Sequence, residues 1–565
     1  MPAARSKAAQ IALVTLLFCA CLGLTPLVQA QAGGFRIAGK VVSSTSGAPL
    51  AQARVTIASV EDRDETKSLI TGDDGGFAFT GIAAGKYSLS AARRGFIDAQ
   101  FDQHENFSTA IVTGGDADSE HLVFRLTPQA VLTGHVLDEM GDPLRRANVA
   151  LYRQDQSTGV SLVRRVGGAR TDDLGSYEFA DLRAGTYFLS ANAKPWYALH
   201  PRSMPNPDGT VTVVPAAHSF DVAYPTTYYP DATDSDEATP IPLRGGERLS
   251  VDMHLSPVPA LSILIRRTGG PGQGFAFPQL ERKSFDSTEN VTAQIMSRTS
   301  QSVGGPENFQ MFSQGLVELS GIPAGKYTLH TPGIPGSETS GSVSEVDLSQ
   351  SGQEVNPASG EPVSNAKFSV RVLGQAQLPQ QLLLALRDAG HKVVRTAEVD
   401  PQGQAELADI PPGKYALLAA TPVNDYAVTR ITINGSPSKG HSLDIVAGTT
   451  IEGTVTLIGG QTIVRGFAKR AGKGAPGAMV VLVPKDPEAN AELFRRDQSD
   501  SDGSFSLNTV VPGEYTIVAI ENGWDLNWSQ PGVLAHYLPQ GRKIVVPSTA
   551  QEPVRLAEPV EVQPR

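Results

Sequence analysis

Residues 79–89 read Phe-Thr-Gly-Ile-Ala-Ala-Gly-Lys-Tyr-Ser-Leu, and the same spacing of apolar residues, glycine and tyrosine occurs five times along the chain. Each copy has two apolar residues three positions apart, a glycine three positions later, and then Tyr-x-apolar. The five Gly-x-Tyr pairs are Gly85 and Tyr87, Gly185 and Tyr187, Gly325 and Tyr327, Gly413 and Tyr415, and Gly513 and Tyr515. A pattern that recurs in this way indicates tandem copies of one structural unit.

The pattern is typical of a strand, a tight connection and a second strand. Before the glycine, apolar residues alternate, as at Phe77 and Phe79, which directs them to one buried face. The glycine stands where the backbone must turn, and the tyrosine then resumes the two-residue period on the buried face. Because a buried tyrosine hydroxyl needs a partner, we expect each tyrosine to donate a hydrogen bond to nearby backbone.

A second group of motifs precedes the first and is clearest in copies one, two and five. In copy one it comprises Gly39-Lys-Val41, Gly47-Ala-Pro49-Leu50 and Ala53-Arg-Val55-Thr-Ile57, followed by an acidic turn before the aromatic residue Phe77. Short alternating strands, separated by Gly, Pro and Asp and without a long helical period, predict an all-β chain of antiparallel sandwiches.

The order of these motifs resembles the carboxypeptidase regulatory-like domain, a transthyretin-like, seven-stranded sandwich often grouped with carbohydrate-binding-like folds. Copies three and four keep only the Gly-x-Tyr half of the pattern. The resemblance implies five tandem antiparallel β-sandwich modules and a non-catalytic accessory role, as in large secreted bacterial proteins, but no particular ligand. The predicted ranges are 31–128 (module 1), 129–257 (module 2), 258–362 (module 3), 363–458 (module 4) and 459–565 (module 5).

The first thirty residues have the layout of a signal peptide. Arg5 and Lys7 precede an apolar run over 11–24, and small residues lead up to Ala30. We expect cleavage near Ala30 and a chain that is secreted, periplasmic or associated with the outer membrane. Two alternatives stay open, a lipoprotein signal with Cys21 as the lipidated residue and an uncleaved anchor.

Composition excludes several classes of function. Both cysteines, Cys19 and Cys21, lie in the predicted signal, so the mature chain would have no disulfide, thiolate nucleophile or Cys-ligated zinc. The net charge is −11, and loss of Arg5 and Lys7 would make it −13, which disfavours nucleic acid as a partner. No later stretch reaches about 20 apolar residues, so no transmembrane span is expected in the mature chain.

The motifs of familiar enzymes do not occur. None of the ten histidines has a glutamate three positions on, and there is no Gly-x-Ser-x-Gly. The sequence Asp500-Ser-Asp502-Gly503 is half of a calcium loop, without the acidic residues at its first and closing positions. We therefore expect no enzymatic activity, no catalytic residues, no metal site and no cofactor.

Aromatic residues are the remaining candidates for a binding surface. Those of modules 2 and 5 follow the Tyr-x-apolar strand in equivalent loops, and a tyrosine pair adds a second cluster in module 2. Exposed rings would stack on sugars, whereas buried rings would cap the open end of a sandwich. Phe96 and Tyr426 occupy comparable places, which favours the capping role. The candidate ligand-binding residues are Trp196, Tyr197, Tyr228, Tyr229, Trp524 and Trp528.

These observations lead to one main hypothesis and two alternatives. The main one is a non-catalytic extracytoplasmic protein of several modules that serves in binding, adhesion or spacing, with a glycan or a cell-envelope protein as partner. The first alternative is a carbohydrate-binding protein that uses the aromatic loops. The second is a hydrolase accessory chain, or an enzyme without a recognisable motif.

Overall fold

The computed structural model describes residues 34–565 with several gaps, so the predicted signal peptide and both cysteines lie outside the described residues. The gaps are 63–64, 116, 157–158, 160, 201, 206–210, 215–219, 267–276, 298–308, 312–314, 334–340, 375–376, 391, 422–424, 439–441, 461, 489, 491–492, 531 and 548–551.

Strands dominate the described part of every predicted module. Module 1 contains β1 (Phe35–Ser43), β2 (Arg54–Ser59), β3 (Thr66–Ile70), β4 (Gly76–Ile82), β5 (Gly85–Ala92), β6 (Ala99–Gln100), β7 (Ile111–Thr113) and β8 (Leu122–Leu126). Module 2 contains β9 (Ala130–Leu137), β10 (Asn148–Asp155), β11 (Leu162–Arg170), β12 (Ser176–Leu182), β13 (Gly185–Asn192), β14 (Arg202–Pro205), β15 (Val211–Val214), β16 (Val222–Ala223), β17 (Thr227–Tyr228), β18 (Ile241–Leu243), β19 (Arg248–Ser250) and β20 (Met253–His254).

Module 3 carries one α-helix among its strands. It contains β21 (Val258–Arg266), β22 (Gln279–Ser284), β23 (Ser287–Asn290), α1 (Val291–Ser297), β24 (Phe309–Met311), β25 (Leu316–Pro323), β26 (Gly325–Thr331), β27 (Ser342–Leu348), β28 (Gln353–Val355) and β29 (Glu361–Pro362). Module 4 contains β30 (Ser364–Val372), β31 (Leu383–Arg387), β32 (Val393–Glu398), β33 (Gln404–Ile410), β34 (Gly413–Ala420), β35 (Asp425–Ile433), β36 (Ser436–Pro437), β37 (Ser442–Ile445) and β38 (Thr450–Gly459).

Module 5 ends the chain. It contains β39 (Thr462–Arg470), β40 (Lys473–Gly474), β41 (Met479–Pro484), β42 (Arg495–Gln498), β43 (Ser504–Val510), β44 (Gly513–Ile520), β45 (Arg542–Val546), β46 (Val554–Arg555) and β47 (Val560–Gln563). Short 3-10 turns lie at Ser235–Glu237, Pro357–Ser359, Gly523–Asp525, Leu534–His536 and Leu538–Gln540.

The strands form packed sheets, which confirms the prediction of an all-β chain of sandwiches. In module 1, one sheet has the order β4-β1-β8 and the other β3-β2-β5-β6, with β7 also paired to β5. Modules 2 and 3 have the same two-layer plan, whereas in modules 4 and 5 the strands join into one nine-stranded sheet each. Separate clusters of buried apolar side chains lie within each predicted range. The division into five modules stays a prediction.

The five copies of the repeat occupy corresponding strands. The strand that ends before each glycine pairs antiparallel with the first strand of its module, as β4 does with β1 and β33 with β30. The glycine itself begins the next strand, which pairs with an earlier strand of the other layer, as β5 does with β2. In modules 1 to 3 the repeated connection therefore carries the chain from one sheet of the sandwich to the other.

The tyrosine of every copy bonds the backbone, as predicted. Each hydroxyl donates to the carbonyl four residues earlier, within the connection between the two strands. The acceptors are the carbonyls of Ala83, Arg183, Pro323, Pro411 and Val511, at 3.3, 2.7, 2.7, 2.9 and 2.7 Å. The glycine leaves room for this ring, because a Cβ on Gly413 would lie 3.2 Å from the hydroxyl of Tyr415. The Gly-x-Tyr pair thus fixes the connection.

A β-bulge, which sequence analysis did not identify, lies in the same connection. In copy one, Phe79 and Ile82 are three positions apart and would face opposite sides of a regular strand, yet both are buried. The register shifts between them, and the residue before the second apolar one has a positive φ. The residues at this position are Gly81, Asp181, Gly321, Asp409 and Thr509, with φ of 67°, 57°, 76°, 54° and 51°.

Candidate functional site: the clasp between modules 1 and 5

The first and last modules contact each other through hydrogen bonds between residues that are 389 to 418 positions apart in sequence. The module 1 side is the loop between β6 and β7, whose tip is closed by paired backbone hydrogen bonds of 2.9 Å between His104 and Phe107. The module 5 side is formed by β42, the turn after it, and the aromatic loop that follows β44. We call this interface the clasp.

Trp524 lies at the centre of the clasp. Its side chain is only 7% exposed, and its indole nitrogen donates to the carbonyl of Gly477 at 3.2 Å. The ring of His104 stacks on it with centroids 5.3 Å apart and planes 10° apart, and Phe107 packs beside it at 5.3 Å. An aromatic residue of module 5 is therefore covered by two rings from module 1.

Arg496 and Glu105 form a bidentate ion pair across the clasp. The guanidinium nitrogens lie 3.1 and 2.6 Å from the two carboxylate oxygens, and the side chains are only 8% and 20% exposed. The guanidinium also lies over Trp528 at 4.5 Å from the ring centroid. A paired arginine of this kind is costly to disrupt, because its partner would be left buried and unpaired.

A second ion pair and several backbone contacts extend the clasp. The ammonium of Lys86 lies 2.5 Å from the carboxylate of Asp500 and 2.8 Å from the hydroxyl of Ser504. The amide of Gln498 donates to the carbonyl of Asp102 at 2.6 Å. The turn after β42 also pairs with the chain before β7, where the backbone nitrogen of Ser501 donates to a carbonyl at 2.9 Å.

Two carboxylates of module 5, those of Asp497 and Asp500, have raised pKa values. Burial raises the pKa of Asp497 from 3.8 to about 7, and the neighbouring charge of Asp500 acts in the same direction. Burial also raises the pKa of Asp500, although the ammonium of Lys86 opposes the shift. Protonation near neutral pH would therefore change the charge on the module 5 side of the clasp.

Module 2 reaches the same aromatic loop. The backbone nitrogen of Ser529 donates to the carbonyl of Gly159 at 3.1 Å. Trp528 lies against this glycine, where an added Cβ would approach the indole to 2.6 Å. Modules 1, 2 and 5 therefore meet around one loop, so the chain doubles back on itself.

The six predicted ligand-binding residues lie in three places. Trp524 and Trp528 belong to the clasp. Tyr228 is fully buried where module 2 meets module 3, and its hydroxyl bonds that of Ser284 at 2.9 Å. Tyr229 packs against the core of module 2. These four residues thus have packing roles and do not form an open platform.

Trp196 and Tyr197 lie apart from the clasp. The Trp196 side chain is 85% exposed, and its ring stands at 87° to that of Tyr197 with centroids 5.7 Å apart. The hydroxyls of Tyr197 and Tyr224 both donate to the carboxylate of Glu139, the latter at 2.6 Å. Of the six candidates, Trp196 is the one with an open ring.

The described residues show neither a metal-binding cluster nor a membrane-spanning helix. There, no group of three or more His, Cys, Asp and Glu side chains is arranged to hold a metal ion. None of the helices in the described ranges is long and apolar enough to cross a bilayer.

Comparison with known proteins identifies domain families. The family model of the carboxypeptidase regulatory-like domain matches residues 36–126 and 131–217. That of the second β-sandwich domain of NOMO1-like BOS complex subunits matches 450–535. No curated protein matches the chain.

Several solved structures are similar at low sequence identity. The Bacillus anthracis TIE protein matches over 79% of this chain and 78% of its own, with 11% identity and a TM-score of 0.16. A streptococcal ancillary pilin matches over 54% and 100%, with 12% identity and a TM-score of 0.20. The minor pilin GBS52 of Streptococcus agalactiae matches over 40% and 97%, with 11% identity and a TM-score of 0.21.

Proposed function

Because residues 36–126 and 131–217 match the family model of the carboxypeptidase regulatory-like domain, we propose that this chain is a non-catalytic, extracytoplasmic adhesion protein whose modules form one folded-back scaffold. Its partner would be a component of the cell envelope. Its loops would be held in fixed relative positions, which suits a binding surface assembled from several modules.

The clasp is the observation that carries this proposal. It joins the first module to the last through the bidentate ion pair of Arg496 with Glu105, which is largely buried, and through the buried side chain of Trp524. A protein that acts mainly as an extended spacer gains nothing from such a contact, because it shortens the distance between the ends. The interface between modules 2 and 3 adds a further fixed junction, where the hydroxyl of Tyr152 donates to the carboxylate of Glu289 at 2.6 Å.

The proposal is tested by the binding of the purified, fluorescently labelled protein to envelopes from its own species. We expect saturable binding that unlabelled protein displaces. Heat-unfolded protein is the control, and it should not compete. Binding that fails to saturate would contradict an adhesion role, and turnover in a panel of hydrolase substrates would contradict a non-catalytic one.

Carbohydrate binding at Trp196 is a second candidate function. The exposed indole of Trp196, with Tyr197 perpendicular beside it, offers a free aromatic face of the kind that stacks on a sugar ring. A glycan array read with the wild type and Trp196→Ala tests this proposal. We expect the substitution to abolish binding, whereas Trp524→Phe, which changes a buried ring, should retain it. An array without signal would rule this candidate out.

A further inference from the structure

A cleft of about 690 Å³ lies beside the clasp and is lined by residues of modules 1, 2 and 5. Three arginines from two modules face it: Arg125 on β8, Arg153 on β10 and Arg183 in the connection between β12 and β13. Its volume is in the range of pockets that hold small ligands, about 300–1,000 Å³. The repeat does not require these arginines, since they stand at its variable positions or outside it.

The guanidinium of Arg153 is held in place, but not all of its N–H donors have a hydrogen-bond acceptor in the protein. One of its terminal nitrogens donates to the carbonyl of Ala184 at 3.2 Å, and the group lies close to Gly185, where a Cβ would approach its Nε to 3.0 Å. That Nε is buried and has no hydrogen-bond partner. A buried donor without an acceptor is costly, so the protein itself leaves the guanidinium of Arg153 incompletely hydrogen-bonded.

The lining of the cleft has a net formal charge of only +1, because its three arginines are accompanied by two carboxylates. Within the described ranges, none of the three arginines forms an ion pair with a carboxylate. Asp102 and Asp118 also line the cleft, but each is engaged in its own loop. Asp118 accepts from the backbone nitrogen of Glu120 at 2.8 Å, and Asp102 accepts from the hydroxyl of Thr109 at 3.3 Å.

We propose that this cleft binds a small ligand carrying at least two oxyanion groups, whether carboxylate, sulfate or phosphate. Guanidinium groups bind all three because their donors match pairs of anionic oxygens. Ile97, Phe101 and Leu122 provide apolar wall for the uncharged body of the ligand. In a chain of net charge −11, a cleft with three arginines and two carboxylates keeps a positive formal charge, which favours an anion.

The clasp completes the cleft. Pro476 and Ser501 of module 5 close one side of it, whereas the arginines belong to modules 1 and 2. A ligand in the cleft would therefore contact both sides of the clasp and favour its closed form. This site goes beyond the adhesion role, which does not depend on it.

Calorimetric titration of the purified protein with citrate, pyrophosphate and a sulfated disaccharide tests the proposal. Maltotriose is the uncharged control, and the three anions distinguish the sources of oxyanion. We expect at least one anion to bind and Arg125→Gln with Arg183→Gln to weaken it at least about tenfold. Because both side chains are exposed, the double variant should fold, which circular dichroism checks.

The matched control is Arg371→Gln with Arg430→Gln, two exposed arginines of module 4 outside the cleft. It should bind the anion like the wild type. Arg153→Gln supplies an independent variant and should also weaken binding. The proposal is overturned if no anion binds, or if the cleft variants and the control bind equally well.

Discussion

At the scale of single residues, the left-handed position in the repeat has a stability cost that depends on its side chain. Thr509 has a φ of 51°, which a β-branched residue rarely adopts. We expect Thr509→Gly to raise the free energy of unfolding of module 5 by about 1 kcal/mol, because glycine adopts this conformation without strain. Denaturant unfolding of the wild type and variant measures the change.

The corresponding glycine of module 1 provides the reverse test. Gly81 has a φ of 67°, and a Cβ added there would meet nothing within 4 Å. Gly81→Thr should therefore destabilise module 1 by about 1–2 kcal/mol through backbone strain alone. If both substitutions left stability unchanged, the bulge would not be under conformational strain at this position.

Asp497 should make stability depend on pH. Since burial raises its pKa to about 7, the folded chain holds a proton that the unfolded chain releases near pH 4. The contribution of Asp497 to the free energy of unfolding therefore falls as the pH rises from about 4 to 7. Asp497→Asn cannot ionise, so the free energy of unfolding of the wild type minus that of the variant should fall from pH 5 to pH 8.

Denaturant midpoints at several pH values measure this difference. Asp525→Asn, which changes an exposed carboxylate of the same module, is the control and should keep the wild-type profile. Parallel profiles for the wild type and Asp497→Asn would show that Asp497 is ionised throughout.

At the scale of the element, the hydroxyl of each repeated tyrosine ties two strands together. Tyr415→Phe removes the 2.9 Å bond to the carbonyl of Pro411 and should destabilise module 4 by about 1 kcal/mol. Tyr426→Phe is the matched control, because Tyr426 is equally buried but forms no such bond in the described structure, and it should be nearly neutral. Equal effects of the two substitutions would mean that ring packing, rather than the hydroxyl, matters.

The strands and the hydrogen bond of the tyrosine hydroxyl could be predicted because both follow from the pattern of residues close together in sequence. Alternation places Phe77 and Phe79 on one face, and a buried hydroxyl must find an acceptor. The bulge was missed because it lies at a variable position, occupied by glycine in some copies and by Asp409 or Thr509 in others. The one sequence feature of the bulge that every copy shares is the spacing of three positions between two apolar residues that both pack in the core.

At the scale of the whole molecule, the sequence pattern predicts much less of the structure than it does for single strands. The loops with Trp196 and Trp524 were identified, but one ring is open and the other is covered by His104. Nothing local distinguishes them, because the covering residue is some 420 positions away. The pairing of Glu105 with Arg496 could not be predicted for the same reason, since nothing in the sequence around either charged residue indicates a partner in another module.

Exchange of charges across the clasp tests whether it holds the ends of the molecule together. Glu105→Arg places like charges opposite Arg496, and loss of a buried ion pair typically costs about 3–5 kcal/mol, so the clasp should open. Small-angle scattering should then show a larger radius of gyration. Adding Arg496→Glu restores opposite charges and should recover part of the compact form.

Glu514→Arg is the control for this exchange, because it disrupts an exposed ion pair with Lys485 inside module 5. Exposed pairs contribute little, so the radius of gyration should stay at the wild-type value. If the radius of gyration is unchanged in Glu105→Arg, then contacts other than this ion pair hold modules 1 and 5 together, and Trp524 with its covering rings becomes the element to substitute.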